Sequence, residues 1–262
     1  MARYLRLYVQ FLAFSFKRSL EYRMDFWFRV AMDCVYYAVQ IGFFSILYLH
    51  TQTLGGWTYD QVLVFVAGYL LSDAIHMTIF SNNMWWLPIL VNRGDLDYYL
   101  VRPVSSLFFL SLRDFAANSF LNLLIAIGLL VWALLRFPLG LSLLNLSWFL
   151  FLLLCGNILR YSLHMFFVVP VFWMHTNRGL ANAYYSAVKL IERPDQIFSF
   201  WVRRLLMTVF PVLLIVSVPV GVLFEGPKVD SVVLVLSVTG LLFFLLQGFW
   251  ALGLRAYSSA SS

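Results

Sequence analysis

Charge is what this sequence has least of. Only 11% of its 262 residues are Asp, Glu, Lys or Arg, against 62% hydrophobic, a ratio that leaves no room for a separate soluble domain. Cysteine is nearly absent too. Cys34 and Cys155 both fall in apolar runs, so no disulfide framework is expected and neither has metal-ligand spacing. No G-x-x-x-x-G-K-[ST] loop is present, and a chain that used ATP itself would need its backbone amides and lysine to meet the phosphates. His50, His76, His164 and His175 are scattered, without H-E-x-x-H spacing or a Ser, His and acid constellation. Catalysis within this polypeptide is therefore not expected, and no cofactor or metal is expected on it. The net charge of +6 has no basic domain to carry a nucleic-acid footprint, and anionic lipid headgroups account for it more simply.

What the chain does have is long apolar runs. A bilayer core about 30 Å thick is crossed by roughly 20 apolar residues at about 1.5 Å rise per residue. Six runs meet that length, at about 26–49, 61–81, 116–135, 146–174, 205–224 and 231–254. The expected fold is all-α, a single polytopic membrane domain of six transmembrane helices. Residues 1–24 lack a small-residue cleavage site and read as a retained interfacial helix. In it Arg3, Arg6, Gln10 and Lys17 form one stripe, and Leu5, Val9, Leu12 and Phe16 the opposite face.

With six spans, about 15 of the Lys and Arg residues fall on one side, which the positive-inside tendency makes cytoplasmic, with both termini there. The segment 175–204 contributes five of those charges, Arg178, Lys189, Arg193, Arg203 and Arg204. The loop HTQTLGGWTYD has no basic residue, and RFPLGLSLLN turns outside through Pro138 and Gly140. Pro211 and Pro219 interrupt the fifth run, so it is expected to be kinked, broken or partly re-entrant.

Intramembrane polar residues are one functional signal. Arg160 lies deep in the fourth run, with His164 one turn on, and Asp73 and His76 lie in the second. A charge at that depth costs several kcal/mol unless paired or hydrated. Two readings stay open: these residues line a pathway or form a latch, or they are a static interhelical set. In the second, Asp73 and His76 satisfy each other, or the fourth run is shorter and leaves Arg160 near an interface.

The stronger signal is residues 84–113, too charged to span and too apolar for a loose loop. Trp85, Trp86, Leu87, Ile89 and Leu90 suit the headgroup boundary, Gly94, Asp95 and Asp97 a polar turn, and Arg102 and Pro103 a return to the membrane. An amphipathic loop resting on lipid is the plain reading of that pattern. The stretch GDLDYYLVRPVSSLF, between a second and a third span, resembles the G-x-L-D-x-x-L-x-R-P segment of bacterial ABC transporter permeases of the type-2 exporter class. The six-span layout, the N-terminal helix and the lack of an ATP site are similar along essentially the whole chain.

The resemblance implies a multi-pass protein of the bacterial cytoplasmic membrane that pairs with a second permease, sibling or identical. Two separate ATP-binding-cassette subunits, which hold the ATP and Mg, would dock on its cytoplasmic face. Gly94, Asp95, Leu96, Asp97, Arg102 and Pro103 would lie in or beside a coupling helix that fits a cleft in the ATPase. Pro211 and Pro219 would match the family's broken outer segment. Two other classes compete on the residues alone. One is an ion-coupled secondary transporter with Asp73, His76, Arg160 and His164 as relay, and the other is a membrane scaffold or embedded enzyme.

Overall fold

The computed structural model describes residues 2–21, 23–137, 142–176 and 178–258. Among these no strand forms beyond one isolated bridge between Leu54 and Trp57, and the polytopic all-α class is correct. An interfacial-length helix α1 (Ala2–Glu21) leads into α2 (Arg23–Tyr48). Next, α3 (Tyr59–His76) passes through a π-helical turn, Met77–Ser81, into α4 (Asn82–Arg93). Two short helices follow, α5 (Asp97–Leu100) and α6 (Ser106–Leu112), before α7 (Ala117–Arg136) and α8 (Leu143–Val168). The expected turn at Pro138 and Gly140 lies outside the described residues. The remainder is α9 (Val171–Met174), α10 (Arg178–Val188), α11 (Phe200–Thr208), α12 (Ser217–Glu225) and α13 (Val229–Ala256).

Five of these helical stretches are long and apolar enough to cross a bilayer: Phe26–Tyr48, Tyr59–Arg93, Ser119–Arg136, Leu143–Met174 and Val229–Ala256. The second is the hub. Its α3 part is buried on nearly all sides by α2, α7, α8 and α12. Gln61 caps its start, accepting from the Thr58 backbone N–H at 2.8 Å. By contrast α2 exposes Val35, Val39, Phe43 and Ile46, a stripe at helical spacing that faces away from the bundle. Helix α1 packs through Tyr4, Phe11 and Ser15, a different stripe from the expected Leu5, Val9, Leu12 and Phe16. Val9 is exposed, and the side chains of Leu5 and Phe16 lie outside the described set.

The fifth run is broken. Residues 205–224 form no continuous helix: α11 stops at Thr208, a single 3-10 turn spans Val212–Leu214, and α12 starts at Ser217. Pro211 drives the residue before it out of the helical region, whereas Pro219 sits in the first turn of α12, where its missing N–H has no intrahelical partner to lose. The irregular stretch is still the best-buried part of the molecule, with Val212 through Val216 fully enclosed. It lies against α8 at Gly156, where an added Cβ would stand 2.4 Å from the Ile215 carbonyl oxygen. Gly156→Ala is therefore expected to force these segments apart at a cost of about 1–3 kcal/mol, read as a lower melting temperature in detergent. Unchanged melting would show that the contact gives without cost.

The segment 175–204 does not form a single loop at one end of the bundle. After α10 the chain continues through a 3-10 turn (Lys189–Glu192) into the bundle, where Glu192 meets Tyr36 of α2 and Tyr69 of α3. Gln196 then abuts Gly55 of the loop before α3, so close that a Cβ on Gly55 would come within 2.6 Å of the Gln196 Cβ. Gly55 and Gln196 thus share one end of the bundle. The physical reason is that Glu192 and Asp195 turn inward to partners, while Arg178, Lys189 and Arg193 stay exposed.

Candidate functional site

A cavity of about 1040 Å³ lies between α2, α3, α7, α8 and α10. Its floor is built by one stripe of α3, Tyr69, Asp73 and His76, at spacings of four and three that stack on one helix face. Arg160 of α8 reaches Asp73, its Nη2 donating to Oδ1 at 2.6 Å, and only 3% of the arginine side chain is accessible. His164, one turn on, shares a hydrogen bond with His76 between Nδ1 and Nε2 at 3.2 Å and stacks flat on Tyr184 of α10, ring centroids 4.0 Å apart. The four residues flagged in the sequence therefore do meet, as two cross-helix pairs. Asp73 and His76 do not satisfy each other, and Arg160 is well inside α8, away from any helix end. Arg160 keeps Nε and Nη1 without a hydrogen-bond partner, as do His76 Nδ1 and the Tyr184 hydroxyl.

The sequence did not single out the rest of the lining. Glu192 accepts from the hydroxyls of Tyr36 (3.3 Å) and Tyr69 (3.2 Å) and from the Gln40 amide (3.1 Å). Asp33 accepts from the Asn122 amide of α7. The cavity thus runs from Trp85 and Asp114, beside α4, up to Glu192.

The second feature is the segment expected to couple. Gly94 ends α4 with φ +76°, the left-handed C-terminal position that glycine occupies at least cost, and this is what turns the chain into α5. Leu96 is fully buried among Met84, Leu87 and Val91 and anchors the turn, so it offers no docking surface itself. Asp95 and Asp97 face the end of α13. Burial, and after it Asp97 and Asp95, pushes the Tyr257 phenol up to about 12. Arg102 lies over the Phe109 ring, 4.8 Å from its centroid, and is exposed together with Pro103. Tyr98 and Val101, 71% and 84% exposed, complete the crest. The sequence offered no distinction between these two and their buried neighbours.

The neck of this segment is pinned shut. Asn83, fully buried at the start of α4, donates to the Asp114 carbonyl at 2.8 Å and accepts from the Asp114 N–H at 2.9 Å. Two residues on, the Ala116 N–H bonds the Thr78 carbonyl inside the π turn at 3.0 Å, and Ser15 of α1 accepts from Phe115. Beyond the neck, Tyr161 of α8 shares a 2.6 Å bond with Ser111, Trp250 of α13 donates to Ser106, and Asn92 donates to the His175 carbonyl. Residues 84–113 are thus one body tied to α1, α8, α9 and α13.

Over residues 34–261 the sequence matches the family model of the ABC-2 family transporter protein. The chain belongs to the ABC-2 transporter family. No curated protein and no solved structure matches it. Family membership makes this ABC-2 chain a multi-pass membrane protein and a transport component without an ATPase site of its own, and permeases of the family work with ABC ATPase partners. In the ABC-2 chain the match covers the pinned segment and most of the cavity lining, and leaves out all of α1 and the start of α2.

Proposed function

We propose that this chain is the permease subunit of an ATP-driven exporter in the bacterial cytoplasmic membrane, and that residues 84–113 receive the force of two separate ATPase subunits. The observation that carries the reading is the pinned neck. A segment closed by Asn83 and Asp114 and tied to four helices moves as a unit, so a push on its exposed crest of Tyr98, Val101, Arg102 and Pro103 reaches α3, α8 and α13 together. ATP and Mg bind the partner subunits, and a second permease, sibling or identical, completes the pathway.

With both termini cytoplasmic, the crest is cytoplasmic and Gly55 is outside. Residues 178–197 then make the fifth crossing, and 200–225 dip in from the outer side, which is where Pro211 and Pro219 belong. Arg193, Arg203 and Arg204 move outside on this reading. Arg203 bonds Asp195 at 2.5 Å. The inner side still holds most of the basic residues.

The paired set Asp73, Arg160, His76 and His164 is also what an ion-coupled carrier would use as a relay. Proteoliposomes separate the two: transport that requires ATP and the ATPase supports the permease, and gradient-driven transport by this chain alone supports the carrier. In the ATP-driven system Arg102→Glu is expected to lower transport at least tenfold with the fold intact, because Arg102 is exposed and its contacts, the Tyr99 and Phe109 rings and the Tyr98 carbonyl, lie within the same segment. Asp97→Arg is expected to do the same, with an added loss of stability from its place beside Tyr257. Normal transport in both variants removes the coupling assignment.

A further inference from the structure

The cavity is not neutral in the way its composition suggests. Of its basic residues, Arg29 and Lys189 are exposed at the rim, and the buried Arg160 is already matched to Asp73. Glu192 is different. Its three partners are two phenols and an amide, all neutral donors, and among the described residues it makes no ion pair, so it brings a negative charge to a half-buried site beside α2 and α3, with Lys189 of the same turn exposed. A carboxylate in such a setting is stabilised by hydrogen bonds but still lacks a counter-charge, and a low-dielectric surrounding magnifies that lack.

The walls beside Glu192 are aromatic. The hydroxyls of Tyr36 and Tyr69 meet at 2.7 Å above it, and Tyr37 lies next to Tyr36 with ring centroids 6.2 Å apart. Further along the same cavity His76 Nδ1, on a side chain more than nine-tenths buried, has no hydrogen-bond partner among the described residues. Ring faces attract cations, a carboxylate supplies the charge, and unpartnered polar atoms can meet N–H donors.

We propose that the cavity binds an amphipathic organic cation, with Glu192 as its counter-charge, Tyr36 and Tyr69 as its walls, and the apolar body of the ligand extending towards Trp85. Arg160 offers an anion no net charge, because Asp73 already neutralises its guanidinium at 2.6 Å. Calling the ligand a substrate rests on the permease reading above; the binding itself does not.

The test uses two probes of almost identical shape and opposite charge, tetraphenylphosphonium and tetraphenylborate. Equilibrium dialysis is run on the protein in nanodiscs, with any subunits that accompany it from the membrane, and binding to empty discs is subtracted. The expected result is saturable phosphonium binding, weakened at least tenfold by Glu192→Gln and partly restored by Glu192→Asp, with no saturable borate binding. Tyr36→Leu, which removes a ring and leaves the charge, is expected to weaken binding severalfold and carries the test if Glu192→Gln is not monodisperse. Borate binding as tight as phosphonium, no saturable phosphonium binding, or indifference to a folded Glu192 or Tyr36 variant overturns the proposal. Loss of the cation site leaves the effect of Arg102→Glu on ATP-driven transport untouched, and loss of that effect leaves phosphonium binding untouched, so the two readings fail separately.

Discussion

Asp73→Ala is expected to destabilise the protein by about 3–5 kcal/mol, because it strands the buried Arg160 guanidinium without its ion-pair partner. The aspartate is the accessible member of the pair and the arginine the enclosed one, so Arg160→Ala should cost less: Asp73 can take water from the cavity it lines. The informative variant is the double one. Asp73→Leu with Arg160→Met removes both charges and keeps the volume, and replacement of a buried pair by apolar groups is often neutral or stabilising. The expected outcome is a melting temperature near that of the parent and transport that is strongly reduced, since the polar floor of the cavity is gone. Parent-like transport in a folded double variant would make the pair a static interhelical tie. A double variant as unstable as Asp73→Ala would mean that the pair contributes more than mutual neutralisation.

Asn83→Leu is expected to uncouple. The side chain is isosteric enough to fill the same space but takes away the two Asn83 bonds to the Asp114 N–H and carbonyl, at about 1–3 kcal/mol for each buried group left unsatisfied. The neck of the coupling segment then opens while its crest, more than ten residues away in sequence, keeps its exposed side chains. The ATPase subunits should still bind and hydrolyse ATP, and the amount transported per ATP should fall at least tenfold. Equal loss of ATPase binding would place Asn83 in the docking surface or in the fold itself. An unchanged ratio would show that force does not pass through the neck.

Much of the architecture was legible because four of the crossings and the last one are plain apolar runs, and lipid demands nothing subtler of a spanning helix. The fifth crossing proposed above gives no hydropathy signal, for a physical reason. Residues 178–197 carry Arg178, Lys189, Glu192 and Arg193, a composition that reads as loop, yet Glu192 is met by Tyr36, Tyr69 and Gln40 and never has to face lipid. Conversely, 205–224 has the hydropathy of a span, but its middle is irregular backbone tolerated only because protein surrounds Val212 to Val216. Hydropathy measures transfer to lipid and says nothing about burial in protein.

At the functional residues the same distinction holds. Arg160, His164, Asp73 and His76 stood out because polarity inside a span is expensive, although the pairing across helices needed coordinates. Asn83 and Ser15 gave no such signal, since an amide or hydroxyl near a span end is ordinary until its backbone partners are known. Gly94 was legible as a turn, and Leu96 beside it could not be told from the exposed Val101.

The central claim is that force enters this chain from another one, through the crest at Tyr98 to Pro103. The most direct measurement is affinity purification of the tagged protein from its native membrane in mild detergent, with mass spectrometry of its partners and nucleotide hydrolysis measured on the same eluate. The account predicts a co-purifying ATP-binding-cassette subunit and ATP hydrolysis, both lost in Arg102→Glu while the permease remains monodisperse. A single-chain eluate without hydrolysis, reproduced after cross-linking in the membrane, would contradict it.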